Sequence, residues 1–288
     1  MKRFVHIVFL GPFFYLRRRW KFSTGLLLLI IILTVITQAG GIILWGSLPI
    51  LDRLHIQQNT ARRAIKIMCF LLLYLVSIFT VIPILAPLGG RVPLPWFATP
   101  DLPLQPANLG YCLLARNYVR PALRTVLERV ARKVSGRYPG TAVMYLDGNF
   151  PFFNGFPLLP HLSHNDGKKL DLAYFYRHAG TGKTLNTTPS PIGYWAYEQP
   201  KPSEFQPCKR KKSWLRWDFD WLQPLFAFAE VDPERTKALL KELIAAGEIQ
   251  KILIEPHLKF RLHVNVPKVS FQGCRAARHD DHIHIQIQ

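Results

Sequence analysis

The chain has 288 residues, 49% of them hydrophobic, and a formal net charge of +19. That length accommodates one mid-sized domain plus a membrane anchor. The charge calls for an anionic surrounding such as acidic lipid or a cell-wall polymer, whereas no nucleic-acid motif or interleaved basic and aromatic surface is present, so nucleic acid is not an expected partner.

In chain order, residues 4–16 are apolar but interrupted by Gly11 and Pro12. They are too short to span a bilayer and are expected in its interface. Residues 25–45 (GLLLLIIILTVITQAGGIILW) and 67–88 (IMCFLLLYLVSIFTVIPILAPL) carry no charge. Each approaches or exceeds the roughly 20 apolar residues a crossing needs, so two transmembrane helices are expected within an anchor covering residues 1–90. No small-residue cleavage site follows a short apolar core, so a removed signal peptide is not expected. Lys2, Arg3, Arg17, Arg18, Arg19 and Lys21 precede the first segment, and Arg53, Arg62, Arg63 and Lys66 lie between the two. The positive-inside rule favours an inside N-terminus, and two crossings then return the rest of the chain to the cytoplasm. Two alternatives place it outside: an outside N-terminus with the basic loop inside, or a break at Gln38-Ala39-Gly40-Gly41 that makes the first segment a re-entrant hairpin.

Residues 91–110 are rich in proline and read as an extended spacer. In residues 121–135, Leu123, Val126, Leu127, Val130 and Val134 recur at helical spacing behind Pro121, and the other face carries Arg124, Arg129, Arg132 and Lys133. This basic face suits either anionic lipid or the solvated exterior of a domain. With the spacer, it forms an expected segment over residues 91–138.

Residues 139–288 read as an α+β domain, a small antiparallel sheet with flanking helices. Strands are expected at 141–146, 249–254, 260–266 and His282–Ile287, the last alternating strictly. Residues 233–246 form a helix with Asp232 as cap, Pro233 at its first position and Gly247 after its end. The run 209–212 (KRKK) reads as a solvated loop. Cys69 is expected to be an inert membrane thiol, while Cys112, Cys208 and Cys274 leave at least one unpaired. With no CxxC pair, a cysteine zinc site is not expected. Gly180-Thr181-Gly182-Lys183-Thr184 lacks the first glycine of a phosphate-binding loop, since Arg177 stands there. Asn186-Thr187-Thr188 fits a glycosylation acceptor, a common chance match.

Two clusters carry chemistry: Ser163-His164-Asn165-Asp166-Gly167-Lys168-Lys169-Leu170-Asp171 and His279-Asp280-Asp281-His282-Ile283-His284. Both offer imidazole and carboxylate groups, which suit a catalytic zinc. On a strand, His282 and His284 project to one side. His164 and Asp171 could complete a metal site from a loop and the strand that follows. Asp280 or Asp281 either orients a histidine or forms a solvated acidic turn.

The paired motif resembles the zinc peptidases grouped with lysostaphin, the D-Ala-D-Ala metallopeptidases and hedgehog-type domains, and is most similar to penicillin-insensitive murein endopeptidases. Ser163, His164, Gly167 and Asp171 match Ser-His-x-x-Gly-x-x-x-Asp, and His279, Asp280, His282 and His284 match His-Asp-x-His-x-His. The resemblance covers roughly residues 140–288. It implies that His164, Asp171 and His284 are zinc ligands, that His279 is the acid–base group, and that His282 steadies an oxyanion or the water. The implied function is a membrane-anchored zinc peptidase cutting peptide cross-links or D-amino-acid peptide bonds of peptidoglycan, its domain facing the cell wall from the inner or plasma membrane. A non-catalytic zinc protein binding cell-wall peptide, or a dipeptidase of D-Ala-D-Ala-like peptides, are the alternatives. Residues 146–160 (LDGNFPFFNGFPLLP) give the substrate loop its own character.

Overall fold

The computed structural model describes residues 23–53, 59–208 and 216–288. The expected interfacial segment 4–16 and the basic run 209–212 lie outside the described residues. The chain divides into two compact units, Met1–Leu85 and Ala86–Gln288.

In the first unit, helix α1 (Thr24–Thr37) begins where the Ser23 side chain accepts a hydrogen bond from the Leu26 backbone N–H. The single helix expected over residues 25–45 does not form. Gln38 takes φ 63°, the chain reverses, and helix α2 (Gly40–Asp52) packs back on α1. Gly41 permits this, because a Cβ there would stand 2.0 Å from Thr34 Oγ1 and 2.3 Å from the Ile30 carbonyl oxygen. Helices of 14 and 13 residues reach only about 20 Å, short of the ~30 Å hydrocarbon core. Helix α3 (Asn59–Val76) continues through a π turn at Ser77–Val81. The resulting Thr60–Gly89 run, 30 residues long, is the one helix among the described residues long and apolar enough to cross a membrane. One such helix replaces the expected two.

The second unit is α+β. Its strands are β1 (Val92–Pro93), β2 (Leu104–Pro106), β3 (Tyr118–Val119), β4 (Val143–Tyr145), β5 (Lys169–Ala173), β6 (Tyr176–His178), β7 (Thr184–Leu185), β8 (Ala229–Val231), β9 (Ile249–Leu253), β10 (Val269–Ser270) and β11 (His282–Ile287). The main sheet has six strands in the order β10-β9-β11-β5-β4-β2. Its four central strands are antiparallel, but each edge strand runs parallel to its neighbour. The sheet is therefore mixed, not the small antiparallel one expected. Parallel neighbours need a crossover. Helix α4 (Pro121–Arg137) lies within the link from β2 to β4, and helix α6 (Pro256–Arg261) within the link from β9 to β10. Helix α5 (Pro233–Ala245) starts as expected, with the Asp232 side chain accepting from the Arg235 backbone N–H.

One sheet face is the core. Leu170 and Leu172 of β5, Ile283, Ile285 and Ile287 of β11, and Ile252 of β9 pack with Leu123, Leu127 and Val130 of α4 and Leu239 and Leu243 of α5. The period of two sends Asp171, His282 and His284 to the other face.

Two expectations need correction. Residues 91–138 are not a spacer and a separate helix: β2 is a sheet edge, and Leu94, Leu104 and the apolar side of α4 are buried in the core. Prolines that suggest an extended linker suit an edge strand equally well. Residues 260–266 are not a strand but the end of α6 and a turn in which His263 takes φ 55°. The cysteines agree with expectation in leaving one over: Cys208 and Cys274 form a disulfide, and Cys112 is a buried free thiol. The basic face of α4 pairs with acids, Arg129 with Glu248 and Lys133 with Glu242, which is the domain-exterior alternative. Residues 180–183 form the turn between β6 and β7.

Candidate metal centre

Strands β5 and β11 set Asp171 directly opposite His284, and paired residues on antiparallel strands share a face. The third member comes from the loop between β4 and β5. Arg91, fully buried, holds that loop: its guanidinium donates to the carbonyls of Phe150, Phe153 and Asn165 and to Asn154 Oδ1. Gly167, at φ 80°, turns the chain into β5, with its N–H donated to Asn149 Oδ1 and its carbonyl accepting from the Arg120 N–H. His164 is thereby fixed. Its Nδ1 lies 2.9 Å from the Gly148 carbonyl oxygen, so Nδ1 carries a proton and Nε2 is the nitrogen turned to the other two residues.

His164 Nε2, His284 Nδ1 and Asp171 Oδ1 converge at 3.1, 2.9 and 3.4 Å from one another. Tetrahedral zinc with bonds of about 2.0–2.1 Å separates its ligand atoms by roughly 3.3 Å. The three buried residues can hold a metal ion. Burial pulls the His284 pKa down to about 4 despite Asp171, which leaves a neutral imidazole, the form that ligates. Burial would raise the Asp171 pKa, but His164 and His282 hold it well below the usual carboxylate range. Its second oxygen accepts the Tyr194 hydroxyl at 2.8 Å.

The remaining predicted histidines stand beside this trio. His282 Nδ1 donates to Asp281 Oδ1 at 2.6 Å. Burial lowers its pKa, but Asp171 and Asp281 outweigh burial and raise it to about 9. The His279 ring lies 4.9 Å from that of His282 and 5.9 Å from that of His284. Burial, then His282 and His284, push its pKa well below the usual value, and its buried Nδ1 has no hydrogen-bond partner. Asp280 binds Arg278, and both Asp280 and Asp281 are buried. The solvated-turn alternative therefore fails, and Asp281 is the residue that orients a histidine. Its Oδ2 also accepts the Trp195 N–H at 2.7 Å, holding Trp195 at φ 73°.

The sequence reading missed a set of neighbours. His161 Nδ1 lies 3.0 Å from Asp147 Oδ2, and Asp147 is gripped by Arg116 at 2.5 and 2.7 Å. Tyr194 reaches both His161 and Asp171. The spacing His161-x-x-His164 was the available signal for one of them. Arg116 and Tyr194 are far off in sequence and carry no local pattern. All of these border a cavity of about 530 Å³, shared with Trp195 and Trp217, a size usual for a ligand site. No protein-family model matches the chain, and no curated protein matches it.

Arg91 gives a first test of this construction. Arg91→Met strips four acceptors of their fully buried donor, at a cost of about 3 kcal/mol or more. The thermal midpoint should fall by roughly 6–12 °C, and metal affinity should weaken because His164 rides on that loop. Unaltered melting and metal binding would show that the loop holds itself.

Proposed function

We propose that the centre binds zinc and that the protein is a membrane-anchored metallopeptidase acting on cell-wall peptides. The observation that carries this reading is the convergence of His164, Asp171 and His284 with two further imidazoles of opposite character beside them. When bound, zinc supplies a Lewis acid and lowers the pKa of its water to about 7. Neutral His279 is placed to take a proton from the attacking water and return it to the departing amine. Cationic His282, fixed by Asp281, is placed to donate to the oxygen of the carbonyl under attack. Groups whose surroundings drive their pKa values apart commonly divide acid and base work in this way. The test is digestion of purified cross-linked muropeptides with and without a chelator. Cleavage that stops with the chelator and returns with zinc supports the reading; chelator-insensitive cleavage, or none by the metal-loaded protein, ends it.

An extracytoplasmic domain fits both the substrate and the disulfide, since such bonds persist in oxidising compartments. Labelling of a single-cysteine reporter at the C-terminus from either side of the membrane decides the topology. Cys208 and Cys274 are 66 residues apart, a closure that stabilises by about 4 kcal/mol in the chain-entropy account. The Cys208→Ser variant is expected to melt roughly 10 °C lower than the oxidised parent. Equal midpoints would mean that the bond constrains nothing.

A further inference from the structure

The floor of the cavity has a second polar row beside the metal centre. Across β5, β11 and β9, Lys169, Gln286 and Lys251 stand opposite one another, two residues along from Asp171, His284 and Leu253. Residues two apart share a face, so this row lies on the side of the metal trio, about 7 Å further along the strands. All three line the cavity. Lys169 is tied to Asp166 at 2.5 Å. Lys251 is half-buried, and neither it nor Gln286 has a side-chain hydrogen-bond or ionic partner among the described residues.

A lone lysine on a sheet is ordinarily a solvated side chain. This one stands inside a concave site, on the face that carries the metal trio, with an unpartnered amide next to it. We propose that Lys251, with Gln286 beside it, binds a carboxylate of the peptide substrate. Lysine offers three N–H donors around a compact charge, and the glutamine amide adds a neutral donor. The spacing sets where that carboxylate sits. About 7 Å is two residues of extended chain, so it belongs to the first or second residue from the bond to be cut. A substrate amidated at that place leaves the lysine without its counter-charge, and such a site rejects the analogue that lacks its partner.

This inference rests on the peptidase reading, and the experiment separates the two. The probes are a purified cross-linked muropeptide with free carboxylates and the same molecule with its carboxylates amidated. Binding to the zinc-loaded full chain is read by rapid-mixing tryptophan fluorescence, which Trp195 and Trp217 at the cavity make possible. The parent should bind the free form at least about tenfold tighter, the size one charged hydrogen bond gives. Lys251→Met should erase that preference and Lys251→Glu reverse it, with metal content unchanged in both. A preference that survives in Lys251→Met, or equal binding of both probes by the parent, overturns the subsite. Hydrolysis without preference overturns the subsite alone, whereas preference without hydrolysis keeps the subsite and counts against the peptidase.

Discussion

His284→Ala is expected to lose most of its metal while the fold persists. His284 supplies one of three converging ligand atoms, and its Nδ1 is within 3.1 Å of both of the others. Apparent zinc binding in four-ligand sites is worth about 10–16 kcal/mol, so one ligand represents roughly 3 kcal/mol, or about a hundredfold in affinity. The sheet should tolerate the change. His284 points away from the core, and β11 keeps its apolar face of Ile283, Ile285 and Ile287, all buried. His164 keeps the Gly148 carbonyl and Asp171 keeps the Tyr194 hydroxyl after the imidazole is gone, so neither is stranded. The measurement pairs metal analysis with circular dichroism on the same sample. A folded variant with one full equivalent of metal would remove His284 from the ligand set, and a misfolded one would be answered by His284→Gln, which keeps the bulk.

How much of this was legible in the sequence depended on how local each signal was. The strand His282–Ile287 and the helix Pro233–Ala245 announced themselves through period and capping, and both form. Residue types and spacing brought His164, Asp171, His282 and His284 together as candidates, and only the resemblance of the two motifs singled out His164, Asp171 and His284. The tertiary overrides were not legible. Nothing in residues 91–110 distinguishes a spacer from an edge strand, because both are extended and tolerate proline; only pairing of β2 with β4 decides it. The run 25–45 is uniformly apolar, and its break depends on a contact between Gly41 and Ile30, eleven positions apart. Arg116, Asp147 and Tyr194 meet only because three separate loops converge.

His279→Ala should keep its metal and lose about 10²–10⁴ in kcat, the usual value of positioned proton transfer. The metal stays because His279 lies outside the trio, its ring 5.9 Å from that of His284. Its backbone is fixed independently of the ring, the N–H donated to Glu255 Oε1 and the carbonyl accepting from the Tyr174 hydroxyl. Truncation therefore removes the imidazole without releasing the strand that follows. Burial and the neighbouring histidines keep this ring neutral, so it can accept a proton, and its unsatisfied Nδ1 is otherwise a cost without return. His282 differs in both respects, carrying a proton held by Asp281, so Asp281→Asn should weaken oxyanion stabilisation, lowering kcat with little change in KM. Added imidazole separates proton transfer from shape: it should restore part of the rate to His279→Ala and none to Asp281→Asn. Full turnover in His279→Ala with metal retained would assign the base elsewhere, and His161, 3.0 Å from Asp147 and bordering the same cavity, would be the next side chain to replace.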